Sequence, residues 1–275
     1  MADLLTTLSI THLEEVGSTS DLAQIASRDG AAEGTAFRAD IQTSGRGRHG
    51  RDWVSPKGNL YLSVLLRPSR PMAEWPGLAL MAGLALRDAL LAYRDAGRIT
   101  LKWPNDVLLD GRKVAGLLLE VHDGAVILGC GVNCLHAPEK TTGWTPGWLN
   151  QAAEDPPVTA DQVMETLAET LCDRYNDWQK AGLASIRDDW KAAAAHLGKT
   201  IVARQSDGAT LSGLFEDLGA DGSMVLRLAD GRLKAITAAD VVQTRPDDKG
   251  PEEMGPEDKG LKDMGPEGQD DAAGH

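Results

Sequence analysis

Short segments that alternate hydrophobic and polar residues dominate the first half of the chain. Period-two alternation and β-branched content predict strands. Capping residues, Leu and Ala content and a closing glycine predict helices. On these criteria strands are predicted at 8–15, 35–42, 59–68, 99–103, 106–110, 113–121 and 125–133, and helices at 18–30 and 74–97. The last four strands are separated only by tight turns, so they are predicted to form an antiparallel meander and not a βαβ series.

The second half changes pattern twice. Two helices are predicted at 158–182 and 183–198, and five short strands with Asp-Gly turns follow between residues 199 and 243. That spacing predicts a small closed β-barrel appended to an α+β domain. The predicted organisation is therefore a catalytic domain at 1–195, a small C-terminal β-barrel domain at 196–245 and a disordered acidic tail at 246–275.

Charge separates the tail from the rest of the chain. The protein carries a formal net charge of -13, and the tail holds ten acidic and three basic residues without aromatic or β-branched residues. Such a segment cannot bury enough apolar surface to fold alone. The remaining composition, 42% hydrophobic and 25% charged, is typical of a soluble globular protein.

Cysteine content and the length of apolar runs indicate in which cellular compartment the protein is expected. Cys130, Cys134 and Cys172 form a low, odd count, which favours reduced thiols packed in the core and a cytoplasmic protein. No second cysteine pair completes a zinc site, so no protein-bound metal is expected. No apolar run reaches the length of a membrane span, and the N-terminal residues lack a basic signal region.

The segment Ser44–Trp53, SGRGRHGRDW, places three arginines between glycines in an acidic protein. Glycines allow backbone amides to face a ligand, and guanidinium groups bind phosphate or carboxylate. The segment is therefore interpreted as a lid over a phosphate-bearing ligand. A solvated basic loop and a nucleic-acid contact are the alternatives, although one basic loop is a poor nucleic-acid footprint. We expect the loop to be mobile without ligand, with arginines that lack partners until an anion binds.

Three polar residues meet at the end of the strand in LKWPNDVLL. Lys102 is expected to face away from Leu101 and Trp103, with Asn105 and Asp106 in the following turn. A plain hairpin would account for the turn formers, but it would not explain the lysine beside Trp103.

Two further strands carry candidate ligand contacts. Lys113 heads an apolar face, and the pattern alone favours a lysine that snorkels at the sheet edge. Gly129, Gly131 and Asn133 share a face, which would let a ligand approach the backbone. The chain has no dinucleotide fingerprint, P-loop or nucleophile elbow. Charge stabilisation and positioning are therefore favoured over covalent catalysis.

Six segments occur in order between Ser18 and Asn133: STSDLA, QTSGRGRHGRDW, NLYLS, KWPNDV, KVAGLLLE and GCGVN. This ordered set resembles the biotin protein ligases, and the similarity extends over about residues 8–243. The resemblance implies a mixed sheet with helices, like that of class II aminoacyl-tRNA synthetases, and a small C-terminal β-barrel.

The resemblance also implies a two-step reaction. Biotin and MgATP give biotinyl-5′-AMP, which then acylates one lysine of a biotin carboxyl carrier protein. ATP and Mg²⁺ are expected as cosubstrates. The sequence leaves open whether the protein is a monomer or a homodimer. No helix-turn-helix precedes Leu8, so a monofunctional form without a DNA-binding domain is expected. No nucleic-acid or membrane partner is expected.

Residue roles follow from the resemblance position by position. The implied biotin contacts are Ser18, Thr19, Gln42, Gly45, Arg46, Lys113 and Gly116. The implied ATP contacts are Arg48, Arg51, Trp53, Lys102, Asn105, Asp106 and Asn133. Lys113 and Arg48 are the implied catalytic residues.

Two alternatives remain at this stage. A lipoate–protein ligase relative would share the fold and the adenylation chemistry, although the arginine loop together with KWPND favours biotin. A non-catalytic biotin- or adenylate-binding protein is the second alternative. The presence of Lys102 and Lys113 argues against it.

Overall fold

The computed structural model describes residues 4–139, 144–153, 155–205 and 208–242. The predicted acidic tail, residues 246–275, lies outside the described residues.

A seven-stranded mixed sheet forms the centre of the protein. Its strands are β1 (Ser9–Val16), β2 (Thr35–Gln42), β3 (Leu60–Leu66), β4 (Ile99–Lys102), β5 (Asp106–Leu109), β6 (Arg112–His122) and β7 (Ala125–Val132). The strand order is β1-β2-β3-β7-β6-β5-β4. Only β1 and β2 pair in parallel, and β4 to β7 form a continuous antiparallel meander. The predicted mixed sheet and meander are therefore confirmed.

Within the described part of the chain, four α-helices accompany the sheet: α1 (Thr19–Arg28), α2 (Gly77–Leu90), α3 (Ala160–Ala181) and α4 (Arg187–Ala193). The last is much shorter than the helix predicted at 183–198. Beyond Ala193 the chain becomes extended and pairs with β4, where Ala195 N–H donates to the Leu101 carbonyl at 2.8 Å. This tertiary pairing outweighs the helix preference of the alanine run.

The two faces of the sheet are covered unequally. On one face, Leu60, Leu62 and Val64 of β3 join the main core with α2 and α3. On the other face, Leu65 packs with Ala23 of α1 in a smaller cluster. This arrangement explains why every residue of β3 is buried. The smaller cluster covers only part of its face, and the remainder of that face lines the cavity described below.

The C-terminal segment forms a second sheet. Its strands are β8 (Thr200–Arg204), β9 (Thr210–Leu218), β10 (Met224–Arg227), β11 (Leu233–Ile236) and β12 (Asp240–Val242), in the order β11-β10-β9-β8-β12. Five strands were predicted correctly, but the predicted closed barrel is wrong, because β11 and β12 do not pair within the described residues. The Val241 carbonyl of β12 instead accepts a hydrogen bond from Trp144 Nε1 at 2.8 Å.

The small sheet shares one hydrophobic core with the main sheet. Phe215 and Met224 belong to the same buried cluster as the residues of α2 and α3. Trp103 Nε1 also donates to the Gly222 carbonyl at 2.9 Å. The division of the chain at residue 195 stays a prediction.

All three cysteines are buried and unpaired, as expected. Burial raises the pKa of the Cys130 and Cys134 thiols to about 12, so both stay protonated near neutral pH. None of the helices within the described residues is both long enough and apolar enough to cross a membrane.

Two leucines near the end of α2 test the assignment of the core. Leu86 is fully buried, whereas Leu91 is 38% exposed. We expect Leu86→Ala to lower the free energy of unfolding by about 2–5 kcal/mol, because it leaves a cavity in a packed core. Leu91→Ala is the matched control, and urea denaturation measures both. Equal losses from the two variants would contradict this packing.

Candidate active site

A cavity of about 740 Å³ opens on the sheet face that carries α1. It is bounded by the start of α1, by strands β3 and β5 to β7, and by the first and last strands of the small sheet. The segment Ser44–Trp53, called the glycine–arginine loop below, also borders it. The predicted site residues that line it are Ser18, Thr19, Gln42, Arg46, Arg48, Arg51, Trp53, Lys102, Asn105, Asp106, Lys113, Gly116 and Asn133. Gly45 is the exception. It is buried behind the wall, where a Cβ atom would lie 2.5 Å from the Trp53 carbonyl oxygen.

One end of the cavity is rich in hydroxyl groups. Thr19 donates to Gln42 Oε1 from its backbone N–H at 2.9 Å and from its hydroxyl at 3.0 Å. The Ser63 hydroxyl lies 2.7 Å from Thr19 Oγ1 and 3.1 Å from Ser20 Oγ. Ser18 starts α1 without using its side chain as a cap. These groups offer both donors and acceptors to a small polar ring.

The sequence analysis missed Ser63, although its strand was predicted. Tyr61, Ser63 and Leu65 share one face of β3 by period two. The face of β3 that meets α1 is known only from the packed structure. Alternation within the NLYLS segment could therefore have suggested Ser63 only after that face was identified.

Glycines form the surface on which Trp53 packs. A Cβ atom at Gly131 would lie 2.6 Å from the Trp53 ring, and one at Gly116 would lie 3.0 Å from it. Any side chain at Gly131 would therefore displace the indole. The indole Nε1 is buried without a hydrogen-bond partner among the described residues. This donor packs against the backbone of Gly131, since a Cβ atom there would lie 2.6 Å from Nε1.

Two lysines share one buried carboxylate. Lys113 Nζ lies 2.7 Å from Asp106 Oδ1, and Lys102 Nζ lies 3.0 Å from Asp106 Oδ2. Burial opposes ionisation of Asp106, but attraction to Lys113 and Lys102 prevails and lowers the pKa of its carboxyl group. Burial also lowers the pKa of Lys102, against the attraction of Asp106. With all three groups ionised, the cluster has one excess positive charge, which suits it to an anionic ligand.

Lys113 does not snorkel at the sheet edge, so that interpretation is wrong. Its ammonium group bonds to Asp106 within the cavity and lies 5.4 Å from the centre of the Trp53 ring. The carboxylate on β5 draws the lysine of β6 inward, an interaction between neighbouring strands that the β6 pattern alone does not contain.

The arginines of the glycine–arginine loop already have carboxylate partners. Arg46 pairs with Asp21 at 2.7 Å, and Arg51 pairs with Asp240 at 2.8 Å. Arg48 lies 3.5 Å from Asp240. The expectation that these arginines lack partners before an anion binds is therefore wrong.

The two asparagines bond mainly to backbone and loop groups. Asn105 Oδ1 accepts from Arg48 at 3.0 Å, and its Nδ2 donates to the Leu117 carbonyl at 2.6 Å. Asn133 Nδ2 donates to the Gly147 carbonyl at 3.0 Å. Both side chains are therefore held in fixed orientations at the cavity wall.

Several lining residues come from parts of the chain where no site residue was predicted. These are Trp144, Arg204, Asp240 and Val241. The Trp144 ring lies over Lys102, with its centre 4.1 Å from Nζ. Arg204, Asp240 and Val241 are far in sequence from the motifs, and no local pattern marks them. Their assignment required the docking of the small sheet against the cavity.

The cavity is suited to neutralising negative charge. Its cationic side chains are Arg46, Arg48, Arg51, Lys102, Lys113 and Arg204. Within the described ranges, no group of three or more His, Cys, Asp or Glu residues could hold a metal ion. Preorganised cations of this kind stabilise charge that develops during a reaction.

The pairing of Arg51 with Asp240 tests how the loop is held. Both side chains are partly exposed, so Asp240→Asn should leave the melting temperature nearly unchanged. Cleavage after Arg51 by an arginine-specific protease should become roughly two- to fivefold faster, because the loop opens more often. Asp230→Asn is the matched control, since Asp230 pairs with Arg232 in the turn between β10 and β11. Identical cleavage of both variants and the unmodified protein would contradict the assignment.

Two family models match the chain. The biotin/lipoate A/B protein ligase family matches residues 17–136, and the biotin protein ligase C-terminal domain matches residues 196–242. The matched regions contain the cavity motifs and the small sheet, respectively.

Similar proteins extend this likeness over most of the chain. The biotin–[acetyl-CoA-carboxylase] ligase of Paracoccus denitrificans is 40% identical over 73% of this chain and 86% of its own length. That of Mycobacterium tuberculosis is 33% identical over 84% of this chain and 87% of its own length.

Solved structures agree with the sequence relatives. The biotin protein ligase from Aquifex aeolicus in complex with biotin and ATP has a TM-score of 0.73 and 25% identity, covering 86% of this chain and 99% of its own. The Leishmania major enzyme in complex with biotinyl-5-AMP has a TM-score of 0.60 and 27% identity, covering 83% and 98%. On this evidence the chain belongs to the biotin protein ligases, within the biotin/lipoate A/B protein ligase family.

Proposed function

We propose that this protein activates biotin with MgATP as biotinyl-5′-AMP and transfers the biotinyl group to a lysine of a biotin carboxyl carrier protein. The observation that carries the proposal is the Lys102–Asp106–Lys113 cluster, which lies in the same cavity as the hydroxyl-rich end. Activation brings a carboxylate and a triphosphate together, and an excess of positive charge reduces their repulsion. Membership of the biotin protein ligases supports the same reaction.

Biotin is assigned to the hydroxyl-rich end of the cavity. Its ureido ring has one carbonyl acceptor and two N–H donors, which suit the hydroxyls of Ser18 and Thr19 and the amide of Gln42. The backbone of Gly116 and the Trp53 ring would cover the apolar part of the ligand. Arg46, at the loop, would close over the biotin side.

The first chemical step forms one bond and breaks another. A biotin carboxylate oxygen attacks the α-phosphorus of ATP, and the bond to the β-phosphate oxygen breaks to release pyrophosphate. Lys113 and Arg48 are assigned the neutralisation of the charge shared by the carboxylate and the α-phosphate. Mg²⁺ enters as part of the ATP substrate and neutralises part of the triphosphate charge.

The nucleotide is assigned to a second group of residues that line the cavity. Arg51, Lys102, Asn105, Asp106 and Asn133 form this side, together with Trp53. Arg51 must exchange Asp240 for phosphate when ATP binds, which couples nucleotide binding to the position of the loop.

The second step transfers the biotinyl group. The deprotonated amine of the acceptor lysine attacks the acyl carbonyl, and the bond between the acyl carbon and the bridging oxygen breaks. AMP leaves with that oxygen, which came from the biotin carboxylate, and the nitrogen loses a proton to solvent as the amide forms. Water would react with the same acyl adenylate, so closure of the loop protects the intermediate. No nucleophile of this chain is needed in either step.

Two assays test the proposed function against its alternatives. ATP–pyrophosphate exchange should depend on biotin and not on lipoate, which separates the two substrates of the matched family. Incubation with biotin, MgATP and a carrier domain should then add one biotinyl group to a single lysine, detected by mass spectrometry. Lipoate-dependent exchange would favour the lipoate alternative. Tight binding of biotin without exchange would favour a binding protein.

Two further assignments belong to the proposal. The unpaired, buried cysteines suit a cytoplasmic enzyme. The outer edge of β1 has no strand partner within the described ranges, so it offers a surface for a homodimer. Analytical ultracentrifugation distinguishes monomer from dimer.

Replacement of Lys113 tests its assigned role. Lys113→Ala should lower the biotin-dependent exchange rate by roughly 10- to 150-fold, the effect of losing a charged hydrogen bond to an anion. Lys57→Ala is the matched control, because Lys57 is 74% exposed and does not line the cavity. Unchanged exchange in Lys113→Ala would remove this lysine from the mechanism.

A further inference from the structure

Ser55 connects two parts of the cavity that the assigned residues leave separate. It is buried just beyond the glycine–arginine loop. Its backbone carbonyl accepts from Gln42 N–H at 3.3 Å, so the two residues form an isolated bridge at the end of β2. Its hydroxyl lies 3.2 Å from Gln42 Nε2 and 2.7 Å from the Trp53 carbonyl. Ser55 therefore contacts Gln42 through both its backbone and its side chain.

The direction of these hydrogen bonds follows from the chemistry of their end groups. The backbone N–H of Thr19 can only donate, so the Gln42 atom that faces it must be the carbonyl oxygen. The Gln42 amide group must then donate to Ser55. The Trp53 carbonyl can only accept, so the Ser55 hydroxyl donates to it and accepts from Gln42.

The chain of hydrogen bonds ends at the hinge that holds the Trp53 ring. The backbone N–H of Trp53 donates to the Gly45 carbonyl at 2.9 Å. A Cβ atom at Gly45 would lie 2.6 Å from Ser55 Oγ and 3.0 Å from Gln42 Nε2, so these groups are closely packed on the side of Gly45. A change in the position of Gln42 would therefore be transmitted to the loop and not absorbed by a void.

We propose that Ser55 is a positioning residue that couples occupancy of the hydroxyl-rich end to closure of the glycine–arginine loop. This inference rests on the proposed function. A ligand at Thr19 and Gln42 stabilises the orientation of the Gln42 amide. Because the Ser55 hydroxyl bonds to both that amide and the Trp53 carbonyl, it then stabilises the position of Trp53. The ring of Trp53 is thereby held over Gly116 and Gly131, where it shields the acyl adenylate from water.

The test is the lifetime of biotinyl-AMP on the enzyme. Enzyme loaded with biotin and MgATP, with pyrophosphatase and without acceptor, releases AMP as the adenylate is hydrolysed. Loss of one neutral hydrogen bond should make AMP release from Ser55→Ala roughly three- to tenfold faster. The KM for ATP should stay within twofold, because Ser55 is not assigned to the nucleotide side.

Two variants control the comparison. Ser55→Thr keeps the hydroxyl and should restore the lifetime to within twofold of the unmodified enzyme. Ser44→Ala, at the other end of the loop, should leave it unchanged, because Ser44 is exposed and does not line the cavity. If Ser55→Ala does not fold, Ser55→Gly removes the same hydroxyl without adding volume, and the same increase is expected.

The outcomes separate this inference from the proposed function. An unmodified enzyme that forms no biotinyl-AMP would overturn the proposed function. An enzyme that forms it, with the same lifetime in Ser55→Ala, would overturn only the coupling. Equal acceleration by Ser44→Ala would also overturn the coupling, since it would show that any change in the loop has this effect.

Discussion

The arrangement of the site depends on one buried carboxylate between two lysines. Asp106 bonds to Lys102 and Lys113 at once, and its side chain is only 8% exposed. An isolated charge would not remain ionised there, so each group of the cluster depends on the others. The cluster therefore places two ammonium groups at defined positions before any substrate is present, and it leaves one positive charge for an anion to balance.

Acidic residues have a second use at the loop. Asp21 and Asp240 occupy the guanidinium groups of Arg46 and Arg51 in the ligand-free protein. The phosphate or carboxylate of a ligand must displace Asp21 and Asp240 from these arginines. Ligand binding therefore exchanges one ion pair for another and does not add a new one. Asp240 comes from β12, so the small sheet supplies one of these carboxylates to the loop.

Strands and motifs were predictable where the information is local. The alternation around Lys102 predicted that the lysine faces away from Leu101 and Trp103. In the structure those two residues belong to the core, and Lys102 bonds to Asp106 in the cavity. Features that depend on distant neighbours were not predictable. The inward position of Lys113 needs Asp106 on the next strand, and the role of Asp240 needs the docked sheet. The barrel was expected to close because turn spacing alone does not reveal that Trp144 bonds to the edge of β12.

The shared carboxylate is tested most directly by a double-mutant cycle in biotin-dependent ATP–pyrophosphate exchange. Asp106→Asn, Lys113→Ala and the double variant are compared with the unmodified enzyme, at a temperature where all four are folded. Because Asp106 bonds to Lys113 directly, the account predicts that the double variant loses less activity than the product of the two single losses. Losses that multiply independently would contradict the claim that Asp106 positions Lys113.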